Sequence, residues 1–263
     1  MTDPTILSAK FKQISENLHF VLVEPETPGN IGAVARAMRT TGFRKLVLVN
    51  PCPVDHPELR MMAHRSLEIV QQAQICPSLQ EAIGSMRLTV ATTMRKRYFQ
   101  FPFFSPQELC QKFLPVALEH PIAIVFGRER TGLTNEELLQ CHLHSTIKTA
   151  TQNPSLNLAQ AVMIYAYTFF MNSHAMQSTY SYALASQNEM EKFYEHLRSA
   201  MQAVQFVPRD GYENFITRVR RLLGRSMAES RDIRLLHKLL QIFETRLSDL
   251  EQQLNDQKKR NIY

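Results

Sequence analysis

The sequence predicts an α/β domain, with a mostly parallel sheet covered by helices on both faces, followed by a small all-α domain. Three observations carry that prediction. Short β-rich apolar runs alternate with amphipathic helical stretches between His19 and Asn172, and such alternation builds parallel βαβ units. Several of the runs stop at a proline or a glycine, residues that end strands and helices. Beyond the Ser/Ala/Gln-rich stretch "NSHAMQSTYSYALASQNE" only helical periodicity remains.

Taken in order, residues up to Asn17 read as a leader or short helix, and "HFVLVEP" as a strand closed by proline. In "IGAVARAMRTTG", Ile31, Val34, Ala35 and Met38 recur at helical spacing and Gly42 ends the run. "KLVLVNP" is a second strand, "PELRMMAHRSLEIV" one helix and "QICP" a very short strand. "SLQEAIGSM" opens on Ser78 with Glu81 following, a capping box. "LTVATT" is a strand, "PQELCQKFLPVAL" a helix and "PIAIVFGRE" the clearest strand of all. "TNEELLQC" starts with a cap and with acids in its first turn. "HSTIKTA" is a last short strand, and "SLNLAQAVMIYAYTFFMN" a long apolar helix. The tail holds helices in "EKFYEHLRSAMQAV", "GYENFITRVRRLLGRS" and "ESRDIRLLHKLLQIFETRLSDLEQQLN". The expected boundaries are a first domain over 1–172, a linker over 173–189 and a helical domain over 190–263.

Hydrophobic residues make up 44% of the chain, enough for a real core. The net charge of +6 and the pI of about 9.2 favour an anionic partner, nucleic acid first, although a merely basic soluble protein has the same numbers. No apolar run approaches the roughly 18 residues of a membrane span, and the polar N-terminus is unlike a signal peptide. Cys52, Cys76, Cys110 and Cys141 are scattered without a CxxC pair, which fits reduced thiols rather than disulfides or a zinc site. A cytoplasmic protein with no membrane contact is expected.

Ligands of open α/β sheets bind beyond the carboxyl ends of strands. "PETPGNIGAVAR", "FGRERTGLTNEE" and "TATQNPSLNLAQA" fall at such ends. Each brings glycine or small polar residues to a helix start, where close backbone approach and free N–H groups favour an anion. Singly the signals are weak. Gly29 and Gly32 make no GxGxxG and there is no GKS or GKT, so a nicotinamide site and a P-loop are unsupported. Gly127 and Gly132, taken alone, are plain turn residues.

Together these segments say more. Asn30-Ile31-Gly32 with Arg36, Gly127-Arg128-Glu129-Arg130 with Gly132-Leu133, and Ser155-Leu156-Asn157-Leu158-Ala159 resemble, in order and spacing, the three motifs of the SpoU/TrmH branch of the SPOUT RNA methyltransferases. The resemblance covers residues 18–171. It implies a deep trefoil knot at the end of the first domain, against the general rule that chains are unknotted. It implies S-adenosyl-L-methionine as cofactor, held by Thr92, Thr93, Met94, Gly127, Ile147, Ser155, Leu156 and Asn157. It also implies a homodimer in which the partner completes each site, and no metal.

With the helical tail, the implied reaction is 2′-O-methylation of a tRNA ribose, at the pyrimidine of position 32 in the anticodon loop. Ribosomal RNA ribose methylation is the alternative within the class. A catalytically inactive RNA-binding or ribosome-assembly protein is the alternative outside it, opposed by the intact Asn30, Arg36, Ser155 and Asn157. Arg36 matches the family arginine assigned as general base. A guanidinium stays protonated, so the other role open to Arg36 is to stabilise the developing alkoxide and bind the adjoining phosphate. Asn30 is expected to fix the arginine loop, Ser155 to position the ribose hydroxyl, and Glu129 to orient the loop or serve as a structural cap partner.

Pro154 adjoins Ser155 and "TATQN" stands where relatives carry an Asn-Pro pair, and "MMAHRSLEIV" stands where they carry small residues plus glycine. For RNA, Arg95, Lys96 and Arg97 precede Tyr98, Phe99, Phe101, Phe103 and Phe104, pairing phosphate-binding charge with aromatics that either stack on bases or pack at a dimer face. Arg128, and Arg218 and Arg221 in the tail, complete the expected RNA contacts. Arg60, His64 and Arg65 form a further basic edge. Cys141, His142 and His144 are too compact for zinc and read as strand-edge packing.

Overall fold

The computed structural model describes residues 9–94, 102–150, 156–173 and 183–260. The chain divides into two compact units, Met1–Tyr182 and Ala183–Tyr263. The first opens with α1 (Ala9–Asn17), β1 (Leu18–Val23), α2 (Pro28–Thr40) and β2 (Leu46–Val49). Next come α3 (Pro57–Ala63), α4 (Leu67–Gln71), β3 (Gln74–Cys76), α5 (Leu79–Ile83) and β4 (Leu88–Thr92). It ends with β5 (Phe103–Phe104), α6 (Pro106–Ala117), β6 (Ile122–Phe126), α7 (Asn135–Leu139), β7 (Leu143–Ser145) and α8 (Leu158–Ser173).

These strands form one sheet in the order β3-β2-β1-β6-β4-β7-β5. Every pairing in it is parallel. The late strands are inserted between earlier ones: β6 lies between β1 and β4, and β7 between β4 and β5. Central parallel strands have both faces covered, so they read as unbroken apolar runs. All of β6 is at most 2% exposed. On one face Val21, Val23 and Val125 pack with Ile83 and Leu138 of α5 and α7. On the other, Phe20 meets Phe43 at 5.4 Å and Phe126 meets Tyr165 of α8 at 5.5 Å, edge on. The Tyr165 hydroxyl donates to Ser145 Oγ at 2.6 Å, and Ser145 Oγ donates to the Phe104 carbonyl at 2.7 Å. That buried relay ties α8 to the sheet edge.

Helix α3 crosses α2 backbone to backbone. A Cβ on Gly32 would stand 2.3 Å from the Leu59 carbonyl oxygen and 2.8 Å from the Ala63 nitrogen, so only glycine fits. The single helix expected from Pro57 to Val70 is broken. His64 takes φ 52°, ψ −122°, outside helical space, and a short 3₁₀ turn, His64–Ser66, leads into α4. Two residues of the aromatic stretch, Phe103 and Phe104, form an edge strand that periodicity does not reveal. The last strand is Leu143–Ser145, earlier than "HSTIKTA" implied. Ser78 accepts a hydrogen bond from the Glu81 amide, as an N-cap should.

The second unit contains α9 (Gln187–Ala203), α10 (Tyr212–Ser226) and α11 (Ser230–Arg260). Ser186 and Glu189 make a reciprocal capping box, starting α9 inside the expected linker. Ala183 and Ala185 are also fixed, by backbone hydrogen bonds to Ser230 and Ala228. Met190, Phe193, Met201, Ile216 and Ile233 form its core. No described helix is long and apolar enough to cross a membrane.

Candidate functional site

Helix α2 begins without a local cap. Thr27, its N-cap residue, makes no side-chain capping hydrogen bond. The acceptor comes from the turn after β6 instead: the Glu129 carboxylate receives the Glu26 amide at 2.8 Å and the Thr27 amide at 3.2 Å. A carboxylate at a helix start satisfies amides left open by helix geometry and meets the positive end of the helix dipole. The Asn30 side-chain amide donates to the same carboxylate at 2.9 Å. Asn157 then donates to Asn30 Oδ1 at 2.8 Å, while its own Oδ1 accepts from the Ala159 amide and caps the start of α8. Three turns far apart in sequence therefore converge on one hydrogen-bonded chain, Glu129–Asn30–Asn157.

Arg36 is exposed, further along α2 on the face shared with α8. It lines a groove with Thr40, Leu156, Gln160 and Met163. No ion pair forms on Arg36 among the described residues; Thr40 Oγ1 donates to its carbonyl. A guanidinium free of carboxylates is available to an anion.

The strands β6, β4 and β7 are parallel neighbours, so their following turns emerge on one edge. Thr92 ends β4, and Thr93, Met94, Gly127 and Ile147 lie on those turns. Thr92 Oγ1 donates to the Val125 carbonyl and the Thr93 amide to the Ser145 carbonyl, both at 2.9 Å. At Gly127 a Cβ would stand 2.2 Å from the Gly132 carbonyl carbon, so glycine lets that turn close on itself. Leu156 and Asn157 lead into α8. Ser155 lies outside the described residues, as do Arg95, Lys96 and Arg97.

Arg128, expected to face RNA, faces protein. Its Nε donates to Glu24 at 2.8 Å, and its two terminal nitrogens donate to the two oxygens of Glu137 at 3.0 Å each. This pairing holds the Glu24 carboxyl below the usual carboxylate range. Sequence reasoning missed Glu24 and Glu137. The one available signal was an acid placed directly at a strand end, in "LVEP". In the tail, Arg218 is exposed and paired with Asp210 at 2.6 Å, and Arg221 is half-buried. His142 Nδ1 accepts from the Thr89 amide at 3.1 Å and His144 Nε2 bonds the Leu138 carbonyl. Burial lowers the His144 pKa. Both rings serve strand packing.

Residues 17–167 match the model of the SpoU rRNA methylase family, and residues 188–253 that of the tRNA methyltransferase TrmJ C-terminal domain. The tRNA (cytidine/uridine-2'-O-)-methyltransferase TrmJ of Klebsiella pneumoniae is 35% identical over 87% of this chain and 97% of its own. The crystal structure of TrmJ from Z. mobilis superposes with a TM-score of 0.73 at 30% identity, over 86% of this chain and 98% of that one. A structure described as giving insight into 2-OH methylation of C/U34 on tRNA has a TM-score of 0.50 at 26% identity, over 60% of this chain and 97% of that one.

Proposed function

The chain belongs to the SpoU methylase family and carries a TrmJ-type C-terminal domain, and on that premise we propose that it methylates the 2′-hydroxyl of a ribose in tRNA. The observation that carries the reading is the Glu129–Asn30–Asn157 chain, which joins the three motif turns on the helix of Arg36, a guanidinium with no ion pair among the described residues.

The donor is S-adenosyl-L-methionine. The turns after β4, β6 and β7 fit it, because they bring hydroxyls and main-chain groups to one edge of the sheet, glycine at 127 lets the turn after β6 fold tightly against Gly132 and Leu133, and the Glu129 carboxylate on that turn is already taken up by residues 26, 27 and 30. Thr92, Thr93, Met94, Gly127, Ile147, Leu156, Asn157 and Ser155 would hold it. When bound, it would supply a methyl from its sulfonium to the 2′-oxygen, the sulfur keeping the electron pair of the broken bond as a neutral thioether.

The protein's own task is to hold that oxygen and take up its developing charge. Arg36 stays protonated, so it binds the ribose phosphate and stabilises the alkoxide, and the hydroxyl proton leaves through phosphate or water. Asn30 and Glu129 fix the start of the helix that carries Arg36. Ser155 positions the hydroxyl.

The trefoil knot is part of this reading, supported by the insertion of β6 and β7 between strands already placed. So is a homodimer. Its support is the α2–α8 groove together with Tyr167 and Met171, which stand 54% and 51% exposed on an apolar helix. We assign RNA contact to Arg95, Lys96 and Arg97 and to the exposed arginines of the tail, Arg218 first. The free thiols of Cys52, Cys76, Cys110 and Cys141 support a cytoplasmic place.

Position 32 of the anticodon loop is the proposed target. Incubation with bulk tRNA and rRNA, then mass-spectrometric mapping of methylated riboses, tests it. A methyl on the position 32 pyrimidine is expected; a methyl at position 34, or on rRNA alone, overturns the assignment.

A further inference from the structure

We infer that Arg128 is a positioning residue for methyl transfer: by clamping Glu24 and Glu137 it sets where the adjoining Glu129 meets the amino end of α2. The inference rests on the methyltransferase reading above.

The Arg128 guanidinium spends its donors inside the protein. Besides Glu24 and Glu137 it reaches the Gly132 carbonyl at 3.4 Å, and its side chain is only 16% exposed. Two carboxylates against one guanidinium, with the Glu129 carboxylate on the next residue, leave the neighbourhood net negative. Such a group repels phosphate, which removes Arg128 from the RNA-binding set.

Glu24 is the first residue beyond β1 and holds φ 45°, a left-handed conformation uncommon outside glycine. Its amide is bound to the Val49 carbonyl at 2.8 Å and its carboxylate to Arg128. At the other end Glu137 is already fixed, because its carboxylate also accepts the Thr134 amide and closes the α7 capping box. Arg128 therefore joins a rigid helix start to the end of a central strand. The next side chain, Glu129, is stitched to residues 26, 27 and 30 of the same loop. One attachment would let the loop pivot. Two consecutive attachments fix the entry of α2, and with it the reach of Arg36.

The test uses the full chain, a tRNA substrate and saturating S-adenosyl-L-methionine, with Arg128→Ala, Arg128→Lys and Glu24→Gln. Misplacing a catalytic group by about 1 Å costs up to about 100-fold, so Arg128→Ala is expected to lower kcat by about 30- to 100-fold. KM for tRNA stays within about 3-fold, the mark of a transition-state effect. Arg128→Lys keeps one ion pair and recovers part of kcat. Glu24 is 43% exposed, so Glu24→Gln folds; it reproduces part of the loss and adds little in the Arg128→Ala background, as coupled residues do.

A KM for tRNA raised about 10-fold at unchanged kcat would assign the guanidinium to RNA and overturn the inference. Wild-type kcat in both Arg128→Ala and Glu24→Gln would overturn it too, as would equal loss of melting temperature and kcat with no rescue by lysine. A wild-type protein that methylates no tRNA refutes the functional reading instead.

Discussion

Asn157 donates its side-chain amide to Asn30 Oδ1 at 2.8 Å, across 127 positions of chain. That bond fixes which way round the Asn30 amide stands, since its nitrogen must then meet Glu129. Asn30→Asp keeps the shape and removes the donor, setting two carboxylates against each other. Like charges raise the pKa of such a pair. Turnover is expected to fall by about 100-fold at alkaline pH and to recover as pH falls and one carboxyl takes up the shared proton. A kcat–pH profile checks this, with Asn30→Ala expected to show the loss and no recovery.

Arg36→Ala removes the guanidinium that lines the α2–α8 groove among the described residues. A preorganised charge aimed at a developing oxyanion is worth about 10²–10³ in kcat, and that loss is expected here. Calorimetric affinity for S-adenosyl-L-methionine stays within about 2-fold, because the cradle lies on other turns. A parallel loss of cofactor binding would make Arg36 structural.

Gly32→Ala drives a methyl into the Leu59 carbonyl and the Ala63 amide, both backbone. Neither can swing aside as a side-chain end would. Overpacking of this kind costs about 1–3 kcal/mol, and urea unfolding should show the upper part of that range.

Burial pushes the Cys110 and Cys141 thiols up to about 12 and raises Cys76 and Cys52 as well. Only the thiolate reacts, so raised values mean slow alkylation at neutral pH. Cys52, the half-buried one, is expected to label first with iodoacetamide. Cys110 and Cys141 label only after denaturation, as intact-mass measurements on native and unfolded protein will show.

Removing the second unit, Ala183–Tyr263, is expected to leave the first domain folded and to weaken tRNA binding by about 10-fold or more, as loss of several phosphate contacts does. A filter-binding titration at fixed salt measures it; an unchanged Kd would place all RNA contact in the first domain.

The sheet was legible because its strands carry their own signal. "FVLV", "LVLV" and "IAIVF" are apolar enough to be buried on both faces, and they are. The helix break at His64 was not legible, since Met61 to Val70 keep an amphipathic pattern through it and the backbone turn follows from the crossing over Gly32. Phe103–Phe104 is too short for any periodicity. Asn30, Glu129 and Asn157 were readable from motif order. The fate of Arg128 was not, because its partners are 104 residues before it and 9 after it and nothing local brings the first one near.

The cap of α2 has a bearing on synthesis. Glu129 follows the Glu26 amide it accepts by 103 positions. During translation β1 and α2 leave the ribosome well before the residue that terminates the helix exists. Until β6 slides in beside β1, the amino end of α2 depends on water for those bonds. On the proposed site, the start of the helix that carries Arg36 is therefore completed only once β6 is in place.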